Sequence, residues 1–125
     1  MKLEWVEAPP GDAAAVISAE LAHSRGDGHN LIVYVGATWC EPCRYFHDAV
    51  NAHKLDARFP YLRIIAFDAD RDGERLARAG YATRLIPSFA IPAPDGRASG
   101  KHTEGSIKGP GAVDDLAPRL EALLR

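Results

Sequence analysis

The 125-residue sequence predicts an α/β fold, a central mixed sheet flanked by helices in the order β-α-β-α-β-α-β-β-α. Three observations predict it. Two near-continuous apolar runs, NLIVYVGAT from Asn30 and YLRIIAFDAD from Tyr61, read as strands buried on both faces. Helical spacing fills the stretches between the early strands, which implies parallel crossovers. Near the end, Pro94-Asp95-Gly96 separates two strand-like segments and marks an antiparallel hairpin.

Each element has its own signal. Residues 3–6 form a short strand candidate, closed by Pro9-Pro10-Gly11. Asp12 can cap a helix on which Ala14, Ile17 and Leu21 recur at helical spacing, and Gly26-Asp27-Gly28 ends it. After the Asn30 strand a long helix is expected over residues 40–57. The second buried strand ends where Asp68, Asp70 and Asp72 begin, and residues 74–79 read as a short helix stopped by Gly80. PSFAIPA and GRASGKHT form the hairpin. Residues 105–111 are a glycine-rich loop, by default flexible, with a partner-contacting lip as the alternative. Val113, Leu116, Leu120, Leu123 and Leu124 make a closing helical stripe; Pro118 fits only if that helix starts late, near Asp114 or Asp115, or kinks.

Composition sets bounds. With 46% hydrophobic and 26% charged residues, the chain reads as a single globular domain over residues 1–125. A net charge of -2 and a pI near 6.2 give no basis for nucleic-acid binding or for an anionic membrane surface. The first residues, MKLEWVEAPPGD, lack a signal-peptide apolar run, and no window approaches the roughly 18 apolar residues of a membrane span. A cytoplasmic protein is the expectation. In a reducing cytosol two close cysteines are an unlikely permanent staple.

Those cysteines, Cys40 and Cys43, are the only two in the chain and sit in TWCEPCR. A C-x-x-C between a buried strand and a helix, beside a βαβ pattern, reads as a redox pair. Thr38 and Glu41 match a capping box, which would put Cys40 in the first helical turn. There the free N–H groups and the helix dipole favour a thiolate. Cys43, Phe46 and Val50 share the sheet-facing stripe, whereas Cys40, Arg44 and His47 lie nearer solvent. Cys40 is thus expected to be the exposed attacking thiol and Cys43 the shielded resolving one, with Arg44 adding positive potential. Lowering a thiol pKa from about 8.5 to about 7 raises the thiolate fraction at neutrality from roughly 3% to roughly 50%. Nucleophilicity falls with basicity, so the net rate gain is only about threefold, and the environment sets direction more than speed. Glu41 opposes the shift. Three alternatives stay open: a structural disulfide closing a very small loop, a metal site of Cys40, Cys43 and His47 short of a fourth ligand, and a redox-inactive remnant.

LIVYVGATWCEPC followed by AGYATRLIPSFAI resembles the thioredoxin family, in its strand with a W-C-x-P-C site and its later cis-proline loop. The resemblance runs from about Asn30 to the final helix, and the element order agrees. It implies a thioredoxin fold and a thiol–disulfide oxidoreductase. Cys40 would be the nucleophile, Cys43 the resolving cysteine, and Trp39 the flanking aromatic. Pro42 would tune the potential and Pro87 would be a cis-proline facing the sulfurs, with substrate backbone pairing at Ile86. The implied partners are a protein or small disulfide substrate and an external electron donor, a reductase or low-molecular-weight thiol. No metal or organic cofactor is implied.

Several positions depart from the family pattern. Tyr34 stands where the family has a buried aspartate, Ile64 corresponds to its lysine, Glu41 stands where general thioredoxins have glycine, and Asp48 where the family has a kinking proline. A specialised thioredoxin-like protein fits better than a general one, and a non-catalytic binding module remains the alternative. Elsewhere, His23, His29, His53 and His102 show no ligand spacing and are expected to be solvated. The aspartates at 68, 70 and 72 do not complete a calcium loop, the glycines around Lys101 do not complete a phosphate loop, and Trp5 reads as core or edge packing.

Overall fold

Strand β2 (Asn30–Gly36) is buried from Leu31 to Gly36, and the computed structural model, which describes residues 2–125, shows what covers it. Before it come β1 (Glu4–Glu7) and α1 (Ala13–Gly26); after it come α2 (Glu41–Asn51), β3 (Leu62–Asp68), α3 (Ala69–Arg78), β4 (Ser88–Pro92), β5 (Ala98–Glu104) and α4 (Ala112–Leu124). The five strands form one sheet in the order β1-β3-β2-β4-β5. β1, β3 and β2 run parallel, and β4 and β5 pair antiparallel beside β2.

The strand pleat sorts side chains between two cores. Ile32 and Tyr34 of β2 and Leu62 and Ile64 of β3 face α2 and α4, meeting Phe46, Phe89, Leu116 and Leu120. Val33 and Val35, with Ile65 and Phe67, face α1 and α3, meeting Ile17 and Leu76. Each fully buried aliphatic or aromatic side chain stabilises the fold by roughly 2 kcal/mol. No helix of the described residues is long and apolar enough to cross a membrane.

Helix ends explain where expectation and structure part. Asp12 caps α1 as expected, its carboxylate accepting from the Ala15 N–H at 3.0 Å. α2 stops at Asn51, short of residue 57, and turns follow. α3 begins at Ala69, five residues before the expected start, because the Asp68 carboxylate caps it by accepting from the N–H groups of Asp70 and Arg71 at 2.9 Å. The alternating aspartates are therefore a cap and a first turn, where acidic groups suit the dipole. α4 starts at Ala112 and runs through Pro118, so of the two alternatives, a late start near Asp114 or Asp115 or a kink, the late start is corrected. The cost is one missing backbone bond, offset by the burial of Leu116, Leu120 and Leu123 on the sheet.

His29 is also corrected. Its side chain is buried rather than solvated, with Nδ1 2.8 Å from Asp27 Oδ1. It belongs to a polar cluster built around Arg63, a β3 residue only 3% exposed. Arg63 donates to Glu4 of β1 at 2.7 Å and to Ser24 Oγ of α1 at 3.1 Å, and it is paired with Asp27. The guanidinium thus fastens β1 and the end of α1 to β3, at the end of the sheet away from the cysteines.

The Arg63 hydrogen bond, with a contribution from His29, holds the Asp27 carboxyl down at about 2. A depressed carboxyl stabilises the fold above its unfolded value and loses that effect as pH falls through its folded value. Arg63→Ala should cost about 2 kcal/mol in urea denaturation at pH 7, through lost charged hydrogen bonds. The difference from wild type should shrink as pH falls from about 4 towards about 2; a pH-independent difference would contradict this coupling.

Candidate active site

The chain leaves β2 at Gly36 and enters α2 at Glu41, so residues 37–40 carry the turn from buried sheet to helix. Cys40 is the residue that caps the helix. Its backbone is extended and its Sγ accepts from the Cys43 N–H at 3.4 Å. Pro42 lies in the first turn, where its missing N–H has no helical partner to lose. Cys40 and Cys43 are joined as a disulfide across a Cα separation of 5.2 Å, inside the usual range.

This geometry corrects the capping box. With Cys40 as cap, the helix starts two residues later than a Thr38 cap would set it. Glu41 does not fold back on Thr38; its carboxylate accepts from the Gly109 N–H, in the loop between β5 and α4. The dipole argument survives the change, because a reduced Cys40 would hold its sulfur at the positive end of α2. Arg44 donates to the Thr38 carbonyl at 3.2 Å, which keeps its cation beside the same turn.

Exposure differs from expectation too. Cys40 is 6% exposed and Cys43 3%, so both are buried and only a small margin separates them. Ala37 and the half-buried Ile86 pack over the pair. The peptide bond between Ile86 and Pro87 is cis, Pro87 is buried, and its carbonyl accepts from the Gly105 N–H at 2.9 Å. Among the described residues, no hydrogen bond within the chain engages the Ile86 backbone.

Exposed apolar side chains sit in the segments flanking the pair: Trp39, Leu85 and Ile107, each more than half exposed. Trp39 is fixed by its indole N–H, which donates to Asp70 at 2.8 Å. From the sequence, Asp70 stood out only in the aspartate run, and Ile107 and Gly109 only as part of the 105–111 loop whose alternative reading was a partner-contacting lip. For Asp70 the signal existed in the aspartate run, since a cap at Asp68 turns the next carboxylate towards the start of α2.

Tyr34, 4% exposed, packs against Trp5, Phe46 and Phe89 and lines a cleft together with Cys43. Burial pushes its phenol far above the ordinary range, so it stays neutral at physiological pH and cannot act as a base there. Its neighbour on β3 is Ala66; Ile64, singled out from the sequence, pairs with Ile32 instead. Neither residue supplies a cation. An open cleft of about 440 Å³ borders Tyr34, Gly36, Cys43, His47 and Trp5. The His47 ring stacks on Trp5 at 4.3 Å. Among the described residues no three His, Cys, Asp or Glu side chains gather as a metal site.

Solved structures share this arrangement of elements. Thioredoxin O1 of Arabidopsis thaliana superposes with a TM-score of 0.58 over all of both chains, at 17% identity. The chain has the thioredoxin fold. A poplar thioredoxin h gives 0.56 at 18% identity, covering 99% of this chain and 97% of that one. Fasciola hepatica thioredoxin gives 0.55 at 21% identity, covering 95% and 98%. No protein-family model matches the sequence, and no curated protein matches it. At such identities the likeness establishes the thioredoxin fold and leaves the chemistry to be argued from the residues of this chain.

Tyr34 and Gly36 are linked within that fold. A Cβ at Gly36 would overlap the Tyr34 ring and hydroxyl, so the tyrosine requires a glycine two residues later on the same face. Gly36→Ala should therefore lower stability by about 2 kcal/mol through overpacking. Tyr34→Phe, which removes the nearest atom, should recover part of that loss in a double-mutant cycle read by thermal denaturation. Additive effects would show that the two sites do not collide.

Proposed function

We propose that the protein is a thiol–disulfide oxidoreductase that reduces protein disulfides through Cys40 and Cys43. The observation that carries this reading is a cysteine pair at a helix N-terminus, with Cys40 as the cap, joined as a disulfide and packed with Ala37 and Ile86. In the proposed mechanism the Cys40 thiolate attacks a substrate disulfide. A Cys40–substrate bond forms and one substrate thiolate leaves. Cys43 then attacks the Cys40 sulfur, closing the internal disulfide and releasing the second thiolate. Two electrons have moved from the protein to the substrate. An external donor, a reductase or a low-molecular-weight thiol, returns them.

The remaining residues take supporting roles in this reading. Trp39, Leu85 and Ile107 offer apolar contact to a partner, and the free backbone of Ile86, before Pro87, can pair with an extended substrate segment. Pro42 tunes the potential, Arg44 favours the thiolate, and Glu41 holds the neighbouring loop through Gly109. A cytoplasmic setting, where the donor pool is reducing, suits this direction of flux.

A second reading is favoured by Tyr34: a binding module on the same scaffold with little turnover, because the phenol cannot serve as a base. Activity separates the two. Insulin reduction with a dithiol donor should be measurable for wild type and lost in Cys40→Ser. Cys43→Ser should accumulate substrate-linked adducts visible on non-reducing gels. Reduction by Cys40→Ser at the wild-type rate would refute the assignment of Cys40, and an inactive wild type would favour the binding module.

A further inference from the structure

The resolving step proposed above needs a proton acceptor, because Cys43 is buried and its thiol must lose a proton to attack. Tyr34, beside it, is neutral and held so by burial. The titratable and charged groups bordering the cleft with Cys43 are Glu7 of β1, Asp68 at the end of β3, Arg71 of α3, and Arg44, His47 and Asp48 of α2.

Most of these are committed or badly placed. The arginines are cations and accept nothing. Glu7 accepts from the Trp5 indole at 3.0 Å. Asp68 is held as the cap of α3, its Oδ1 accepting from the Asp70 and Arg71 N–H groups. Asp48 stands five residues beyond Cys43, on the exposed side of α2. His47 alone lies one turn on from Cys43, the spacing at which helical side chains are neighbours, with Cβ atoms about 5–6 Å apart. Its ring is half-buried and held flat against Trp5 at 4.3 Å. Among the described residues neither ring nitrogen takes a hydrogen bond or ion pair within the chain. Imidazole is also the side-chain base best matched to neutral pH.

We infer that His47 accepts the Cys43 thiol proton, directly or through one water in the cleft, as Cys43 attacks the mixed disulfide. The inference rests on the oxidoreductase reading and deepens it. The Cys43–Cys40 S–S bond forms and the Cys40–substrate S–S bond breaks. The thiol proton moves to imidazole, and the departing thiolate takes up a proton from solvent or from the imidazolium. Trp5, on the edge strand, is the residue that positions the ring.

The test uses reduced full-length protein and dithiobis-nitrobenzoate. Attack by Cys40 releases one coloured thiolate, and resolution by Cys43 releases a second, so the two steps are read separately. A free thiol is about 3% ionised at neutrality and burial lowers that fraction further, which is why the second step gains from a base. His47→Asn should leave the first release unchanged and slow the second about tenfold at pH 7. The deficit should close above about pH 9, where hydroxide replaces the base. Added imidazole should restore part of the rate in His47→Ala. A second release equal to wild type in both variants overturns the inference and leaves the function intact. A deficit of constant size across pH, unrelieved by imidazole, also overturns it, since that marks a purely structural role. A wild-type protein that releases no thiolate at either step overturns the oxidoreductase reading and this inference together.

Discussion

Strand β2 is packed between two pairs of helices, and that double burial constrains everything around it. Its side chains alternate between the α2/α4 core and the α1/α3 core, so no register slip is tolerated. The strand also has a partner on each edge, β3 and β4. The backbone that emerges at Gly36 is consequently held from four sides. The cysteine pair begins four residues later, at the cap of a helix packed against the same strand. The position of the sulfurs is inherited from the core.

The site is assembled on this frame from segments far apart in sequence. The turn after β2 brings the cysteines, the start of α3 brings Asp70 to Trp39, the approach to β4 brings Ile86 and Pro87, and the loop after β5 brings Gly109 to Glu41. Each contact is short-range, yet each depends on the sheet order. The opposite end of the sheet has its own clasp at Arg63, which ties β1 and α1 to β3 without touching the cysteines. The Arg63 cluster and the cysteine pair thus lie at opposite ends of the central strands.

Tyr34 shapes the region that borders the cleft with Cys43. The ring fills the space over Gly36 and joins an aromatic cluster with Trp5, Phe46 and Phe89. The cluster extends to the edge strand through Trp5, whose indole carries His47. A residue that first suggested only a weak metal ligand thereby becomes the unengaged base of the cleft.

The sequence by itself determined the element order, the two buried strands, the hairpin and the cysteine pair at a strand–helix junction. Those features are written in local periodicity and turn chemistry, which act over a few residues. Helix boundaries were less legible, because competing caps at Thr38 and Cys40, or at Asp68 and later residues, differ by contacts made after folding. Burial of His29, the near-equal burial of Cys40 and Cys43, the pairing of Tyr34 with Ala66 and the reach of Glu41 to Gly109 were decided only in three dimensions. Each depends on which distant strand or loop packs alongside, and a residue's neighbours across a sheet are set by global register rather than by its own sequence window.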